Sequence, residues 1–400
     1  MMSGKRTAFI VFVLGLMAAI MVAGCGGGSS SGGESTSSGE PAKTNEGETK
    51  SAAAGGSSGV IAEATSRVTA AMKAPTWNSP GPSFDAGKAS GKKVAIIAVT
   101  TEVPAVNELD EEMVAAFKEA GVSTTVGNGK ASPTEFARLM QQAIQANVAA
   151  IILNAVDPKA VAQPLRQAKE AGVPVITMFE ADPSQPLPEG VVGRADFSYK
   201  EAGELLAAWT ASDSEGDADS VAIQSSDAPS QAAYLAGFEE GYEKYCAECE
   251  LSVKDVAVAD WQSRLGSTAR SALLEDPNVN YLLPLYDGMM LNVVPAVQQA
   301  GKIGEVKMGS LNATPAVMEF LVNEEIQMDI GESNPWLAWA AADQTLRAIT
   351  GEQPVENENV PLRIFTQENF PSEVGSESDP STWYGSVDFR GEYKKLWGVE

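Results

Sequence analysis

The sequence predicts an α/β protein built as two doubly wound lobes joined by a hinge. Three observations predict it. From Lys93 onward short apolar runs alternate with amphipathic helices, a strand and helix recur about every thirty residues, and the whole pattern restarts at Val221. After the leading segments about 340 residues remain, more than one hydrophobic core usually accommodates, so two lobes are the default.

The elements follow in order. Lys93 to Val99 reads as a buried strand, Asp110 to Ala120 as a helix closed by Gly121, and Val122 to Val126 as a second strand. The next helix is the best marked: Ser132 as N-cap, Pro133 in the first turn and Glu135 form a capping box. Phe136, Leu139, Met140, Ala143 and Ile144 make its apolar stripe. The strand "AAIILNAV" follows, then a helix capped by Asp157 and ended by Gly172, then the strand "VPVITMF". The second half repeats the plan. Strand "VAIQSS", a helix through Phe238 and Tyr242, strand "VKDVAVA", a helix from Ser263 to Leu274, strand "NYLLPLY", a helix ending at Gly301 and strand "VKMGSL" alternate in turn. "VVGRADFSYKEAG" is the candidate hinge, and "QMDIGESNPWLAWAAADQTLRAITG" reads as a strand crossing into a helix.

The amino terminus has the order of an export signal. Lys5 and Arg6 precede the uncharged run Thr7 to Gly24, and Val22-Ala23-Gly24-Cys25 resembles the bacterial lipobox, in which the cysteine is lipidated and becomes the first mature residue. One acyl chain holds a protein only marginally, so a cysteine with two or three chains is needed for a stable anchor. An uncleaved spanning helix is the alternative reading of the run. Beyond Cys25 a Gly- and Ser-rich stretch has almost nothing apolar to bury and is expected to be a coil with a reach of roughly 30 Å.

Composition excludes several function classes. Against 53 acidic residues stand 28 basic ones, a net charge of −25 that repels nucleic acid and anionic lipid. There is no histidine, which removes the commonest general base and most transition-metal sites. "GKASGKK" lacks the spacing and the Ser/Thr of a phosphate loop, and no G-x-G-x-x-G opens a helix after a strand, so neither a cofactor nor a metal is expected. Cys246 and Cys249, in "YCAEC", read as a local disulfide in an exported chain.

Ligands of open α/β sheets sit outside the carboxyl ends of the strands, and two such lobes face each other across a cleft. The polar and aromatic residues at those ends are the candidate site: Thr100, Thr101 and Glu102; Asn154 and Asp157; Phe179 and Glu180; Ser226, Asp227 and Gln231; Trp261; Tyr286 and Asp287; Asn312; and Glu332, Asn334 and Trp336. Hydroxyl-bearing ligands need polar side chains with rings to stack on their C–H faces. Strand-end Asp and Asn also cap helices, so capping is the competing reading for each.

With "KKVAII", "AAIILNAVDPKAVAQPLRQAKEAGVPVITMF", "YLAGFEEGYEKY" and the stretch from Pro277 to Leu321, residues 91 to 366 resemble the type I solute-binding proteins of bacterial ABC importers, the ribose-binding-like sugar group. The resemblance implies a receptor that closes on a sugar or polyol and docks to an ABC permease without turnover. It carries ligand contacts onto Phe179, Glu180, Trp261, Tyr286, Asp287, Asn312 and Glu332. The arginines that many such binders place after the fourth strand and before the "GF" motif are absent, and so is the aromatic pair after the first strand. An acidic cleft of this kind also suits an amine through carboxylate and cation-π contacts. A ligand sensor for a membrane signalling partner, or a hydrolase using Glu180 and Glu332, are the further alternatives.

The expected organisation is therefore a signal peptide over 1–24, lipidated Cys25 and a tether over 25–60, and a lead-in over 61–90. The N-terminal lobe takes 91–195 with 333–360, and the C-terminal lobe takes 196–332 with 361–400. The chain is expected to be a monomer on the outer face of the cell membrane. "STWYGSVDFRGEYKKLWGVE" reads as an aromatic strap packed on one lobe.

Overall fold

The computed structural model describes residues 50–370 and 380–399. Signal peptide, lipobox and most of the expected tether lie outside the described residues. Helix α1, Lys50–Ala71, occupies the end of that tether, where coil is expected, and the start of the lead-in. Its buried Ala64 and Val68 make an i, i+4 stripe.

The first lobe holds strands β1 (Lys93–Ala98), β2 (Ser123–Asn128), β3 (Ala150–Asn154), β4 (Val175–Met178) and β5 (Val191–Ala195), all parallel in the order β2-β1-β3-β4-β5. Helices α2 (Pro104–Glu119), α3 (Pro133–Gln145) and α4 (Ala162–Glu170) connect them. The chain then crosses to α5 (Tyr199–Asp213), β6 (Asp219–Gln224), α6 (Gln231–Tyr245), β7 (Glu250–Asp255), α7 (Trp261–Glu275), β8 (Tyr281–Pro284), α8 (Asp287–Gln299), β9 (Lys307–Leu311), α9 (Pro315–Val322) and β10 (Met328–Glu332). It returns as α10 (Asn334–Thr350), which packs on β3, β4, β5 and α2 of the first lobe. The second sheet runs β11-β10-β9-β8-β6-β7, parallel except where β11 (Leu362–Thr366) pairs antiparallel with β10. The doubly wound two-lobe fold is the expected one, with β11 added at the edge.

Physical reasons are local and specific. β3 and β4 are buried along their whole length, as parallel strands covered on both faces must be. Gly121, Gly172 and Gly301 end their helices in the left-handed region expected of them. The capping box at Ser132 does not form: its side chain makes no cap bond, and Glu135 is drawn away into an ion pair with Arg138. Helix α2 begins six residues before Asp110, because Val106 and Leu109 already face the core.

The segment 361–400, expected with the C-terminal lobe, divides between the two. Trp383 and Tyr384 pack on Phe365 of β11, but helix α11 (Phe389–Trp397) packs on the first lobe. There Trp397 stacks on Trp339 with centroids 5.3 Å apart and donates to Asp343 Oδ1 at 2.7 Å, while Arg390 pairs with Glu112 at 2.7 Å. The lead-in spans the lobes too: Thr65 bonds Ser212 of α5, whereas Trp77 stacks on Trp336. The structure joins Cys246 to Cys249 at the end of α6.

Helices α5 and α6 approach through Gly203, Gly237 and Gly241. A Cβ at Gly237 would strike the carbonyl oxygen of Lys200, and one at Gly203 that of Tyr234. Gly237→Ala gains helix propensity but overpacks this crossing, so a net loss of about 1–3 kcal/mol is expected in a denaturant or thermal melt.

Candidate functional site

Right-handed crossovers place the carboxyl ends of all parallel strands on one edge of each sheet. In this chain several of those ends carry non-glycine residues with left-handed backbone: Ala155 after β3 (φ 57°), Phe179 after β4 (φ 53°) and Asn312 after β9 (φ 118°). Strain of this kind persists only where the surroundings over-determine it. It turns Glu180 and Asn312 inward.

Glu180 is buried and receives the Arg194 Nε at 3.1 Å; Arg194 is fixed by donating also to the carbonyls of Asp182 at 3.0 Å and Gln185 at 2.8 Å. Asp196 Oδ2 accepts the backbone N–H groups of Glu180 (2.7 Å) and Ala181 (3.1 Å), and so shapes the loop after β4. Burial raises the Glu180 carboxyl despite Arg194, and raises that of Asp196 further.

Across the hinge, Asn312 Nδ2 donates to Glu332 Oε1 at 3.2 Å. The other oxygen of Glu332, a residue 5% exposed, has no partner. Burial pushes its carboxyl up to about 8, and the carboxyls of Asp287 and Asp196 add to the effect. The buried phenol of Tyr199, at the start of α5, feels Asp196, Tyr286, Glu332 and Glu180 together, so the two lobes meet around it.

In the second lobe the contacts form one network. Trp261 Nε1 donates to Ser225 Oγ at 2.7 Å, and its half-buried ring lies against Gly288, where a Cβ would come within 2.5 Å. Gln231 Oε1 accepts Ser225 N–H at 3.4 Å, leaving its buried Nε2 without a partner. Ser230 bonds the Tyr286 hydroxyl at 3.0 Å, and the Tyr286 ring meets Tyr234 edge-on at 5.7 Å. The Tyr234 hydroxyl is buried and unpartnered.

The structure brings Glu180, Tyr286, Asn312 and Glu332 to this junction, with Phe179 on Phe197 at 6.4 Å; Gln231 and Trp261 meet at Ser225 within the second lobe. Thr101 and Glu102 stand on the β1–α2 loop, where Glu102 N–H donates to Thr100 Oγ1 at 3.3 Å. Two candidates are taken up by other contacts. Trp336 is sandwiched between Trp77 at 5.7 Å and Phe389 at 5.0 Å, a stack closed by segments its neighbours in sequence do not foretell. Asp287 spends both oxygens inside its own lobe, accepting Ser310 Oγ at 2.5 Å and Thr314 N and Oγ1 at 2.6 Å. The helix-capping or loop-bracing alternative holds for Asp157, Ser226 and Asp227, and Asn154 ties β3 to α2 through Asp110 at 2.9 Å.

Sequence reasoning missed Arg194, Asp196, Tyr199, Tyr234, Asp329 and Tyr384. The first three lie in or beside the stretch singled out as the hinge, which is the signal that could have found them. Tyr384 comes from the terminal strap and feels Glu332, Asp329 and Asp287 of one lobe and Glu108 of the other. Among the described residues no group of three or more side chains is arranged to hold a metal ion.

The raised Glu332 carboxyl has a defined consequence. Between its ordinary value near 4.5 and about 8 the folded protein keeps a proton that the unfolded chain gives up, so stability falls as pH rises across that window. Melts at pH 5 and pH 8 are expected to differ less in Glu332→Gln than in the parent, by at least about 1.4 kcal/mol, the equivalent of one unit.

Comparison with known proteins agrees with this architecture. Residues 94–353 match the periplasmic binding protein domain family. A D-ribose/D-allose-binding protein of Pseudomonas aeruginosa is 24% identical over 239 residues, which cover 57% of this chain and 73% of the relative. A glucose-galactose binding protein of Geobacillus stearothermophilus superposes with a TM-score of 0.62 at 17% identity, covering 70% of this chain and 99% of its own. The periplasmic component of an arabinose ABC transporter from a Shewanella species, bound to L-arabinofuranose, gives 0.60 at 20% identity, covering 70% and 94%. Both superpositions establish the fold. The chain is an extracytoplasmic binding protein rather than an enzyme, and it belongs to the periplasmic binding protein family, as a type I solute-binding protein of the ribose-binding-like group.

Proposed function

We propose that this protein is a lipid-anchored receptor that closes its two lobes on a small polyhydroxylated solute, a sugar or polyol, and delivers it to an ABC importer. The observation that carries the reading is the junction itself. Gln231 Nε2 and the Tyr234 hydroxyl, both on α6, and Glu332 Oε2, at the end of β10, are buried polar atoms of the second lobe without partners among the described residues, and in folded proteins such groups as a rule find one. A ligand with several hydroxyls supplies both donors and acceptors to such a set. The half-buried indole of Trp261, with Tyr286 nearby, offers a face for sugar C–H groups. The sugar-binding relative and the sugar-bound structural neighbours point the same way.

In this reading Phe179, Glu180, Gln231, Trp261, Tyr286, Asn312 and Glu332 contact the ligand, Thr101 and Glu102 join on closure, and the receptor acts as a monomer. Cys25 carries the lipid, and no described helix is long and apolar enough to cross a membrane. Replacing Cys25 by Ser is expected to move the protein from the membrane pellet to the soluble fraction without changing ligand binding. Retention in the pellet would point to the uncleaved helix instead.

The test of function is a thermal-shift screen against sugars, polyols, polyamines, betaines and amino acids. A ligand at a hundred times its dissociation constant adds about 2.7 kcal/mol of stability, a readily measured shift. Trp261→Ala is expected to weaken the response at least about ten-fold in affinity, as loss of one ring–ligand contact of about 1.4 kcal/mol requires. If no polyhydroxylated compound shifts the melt, this function is wrong.

A further inference from the structure

Tyr384 of the terminal strap is 7% exposed, yet among the described residues its hydroxyl has no hydrogen-bond partner. Buried hydroxyls as a rule find one. The side chain is held firmly by its surroundings. Arg363 of β11 donates Nη1 to the carbonyl of Trp383 at 2.6 Å and Nε to that of Met72 at 3.0 Å, which ties the strap to the second sheet and to the lead-in. The Tyr384 ring meets Phe365 edge-on at 5.7 Å, and the Trp383 ring packs on Phe365 at 6.2 Å and Phe370 at 4.9 Å.

The hydroxyl lies at the carboxyl edge of the second sheet, the edge on which ligands of α/β sheets sit. A Cβ at Gly331 of β10 would strike it, and would also stand 2.6 Å from the Cβ of Ala313, just beyond β9. Glycine at this position therefore leaves the room that the phenol occupies, against the ends of two neighbouring parallel strands. The next residue along is Glu332, whose Oε2 is also without a partner. Glu332, Asp329 and Asp287 of the second lobe and Glu108 of the first all act on the phenol. Burial and these carboxyls hold it above its ordinary range, so it keeps its proton and is available as a donor. A ligand hydroxyl accepts from the phenol and still bonds Glu332 Oε2, whether that carboxyl is protonated or not.

We propose that the Tyr384 hydroxyl is a solute contact, so that the C-terminal strap, outside the matched residues 94–353, completes the binding site and selects for a hydroxyl at one position of the ligand. The inference rests on the polyhydroxylated-ligand reading above and adds the residue that reads one hydroxyl. A ring seated on Phe365 and a backbone held by Arg363 place the phenol before the ligand arrives, so little ordering is lost on binding. A ligand lacking the matching hydroxyl leaves the phenol unpaired in a buried site, and a site built this way rejects such analogues strongly.

The experiment is calorimetric titration of the full-length protein and of Tyr384→Phe, which keeps the ring. The probes are D-ribose, D-allose, D-galactose, L-arabinose and allitol, each beside its monodeoxy forms. The tightest probe is expected to lose about ten-fold or more in affinity for the variant. One monodeoxy form that the parent disfavours by a similar factor is expected to bind parent and variant alike. The melt of the ligand-free variant is expected to stay close to the parent's, because the hydroxyl bonds nothing among the described residues. If the variant does not fold, fluorotyrosine placed at position 384 of the otherwise native chain gives a fluorine resonance that is expected to move as the probe saturates. A resonance that stays in place overturns the proposal. Equal binding of the probes and of their monodeoxy forms by parent and variant overturns it too, and leaves the receptor function intact. If no sugar or polyol binds the parent, the receptor reading fails and this assignment fails with it.

Discussion

Two short crossings govern this molecule. The chain passes from β5 to α5 through Asp196, Phe197 and Ser198, and from β10 to α10 through Ser333 alone, so the lobes cannot separate far at their base. Because every parallel strand ends on the same side of its sheet, the crossings bring the carboxyl ends of both sheets face to face. What stands at a crossing is buried from both sides. Asp196 and Glu332 are such residues, and their desolvation follows from topology as much as from composition.

Burial of carboxyls without cations is expensive, and the molecule offsets it in three ways. Backbone N–H groups bind Asp196, a single guanidinium binds Glu180, and side-chain donors bind Asp287, Asn312's amide doing the same for Glu332. Where donors run out, protonation takes over. Burial lifts the carboxyls of Asp287 and Asp329, which share Ser310 between them, and lifts Asp329 well above the usual carboxylate range. The second lobe thus carries a polar core whose charge state depends on its neighbours.

The matched domain ends at 353, and the structural neighbours cover 70% of the chain, yet the remainder described is built into the fold. Helix α1 lies on α5, Trp77 stacks against Trp336, Trp383 packs on Phe365, and α11 lies on α10. The rings make two stacks, Trp77–Trp336–Phe389 and Trp339–Trp397, that bury large apolar area and hold the Arg347–Asp343 pair at 2.6 Å out of water. These segments link the lobes at places other than the hinge and bring Tyr384 toward Glu332.

The sequence by itself determined nine of the ten parallel strands and most of their helices, because apolar runs and helix-ending glycines act within a few residues; β5 lies in the stretch read as the hinge. It also marked Glu180 and Glu332 as strand-end carboxylates, since position in a β-α unit is a local property. It did not reveal α1, whose Gly- and Ser-rich start has little helix propensity of its own and depends on α5 for its apolar contacts, nor β11, a five-residue strand that pairs antiparallel only because β10 offers an edge. Tertiary structure alone decided that Arg194, from within a strand, reaches Glu180, that Trp336 belongs to an aromatic stack, and that Asp287 serves its own lobe. The reason is common to all three: hydrogen bonds and ring contacts between residues far apart in the chain are set by where the elements pack, and no local pattern encodes that.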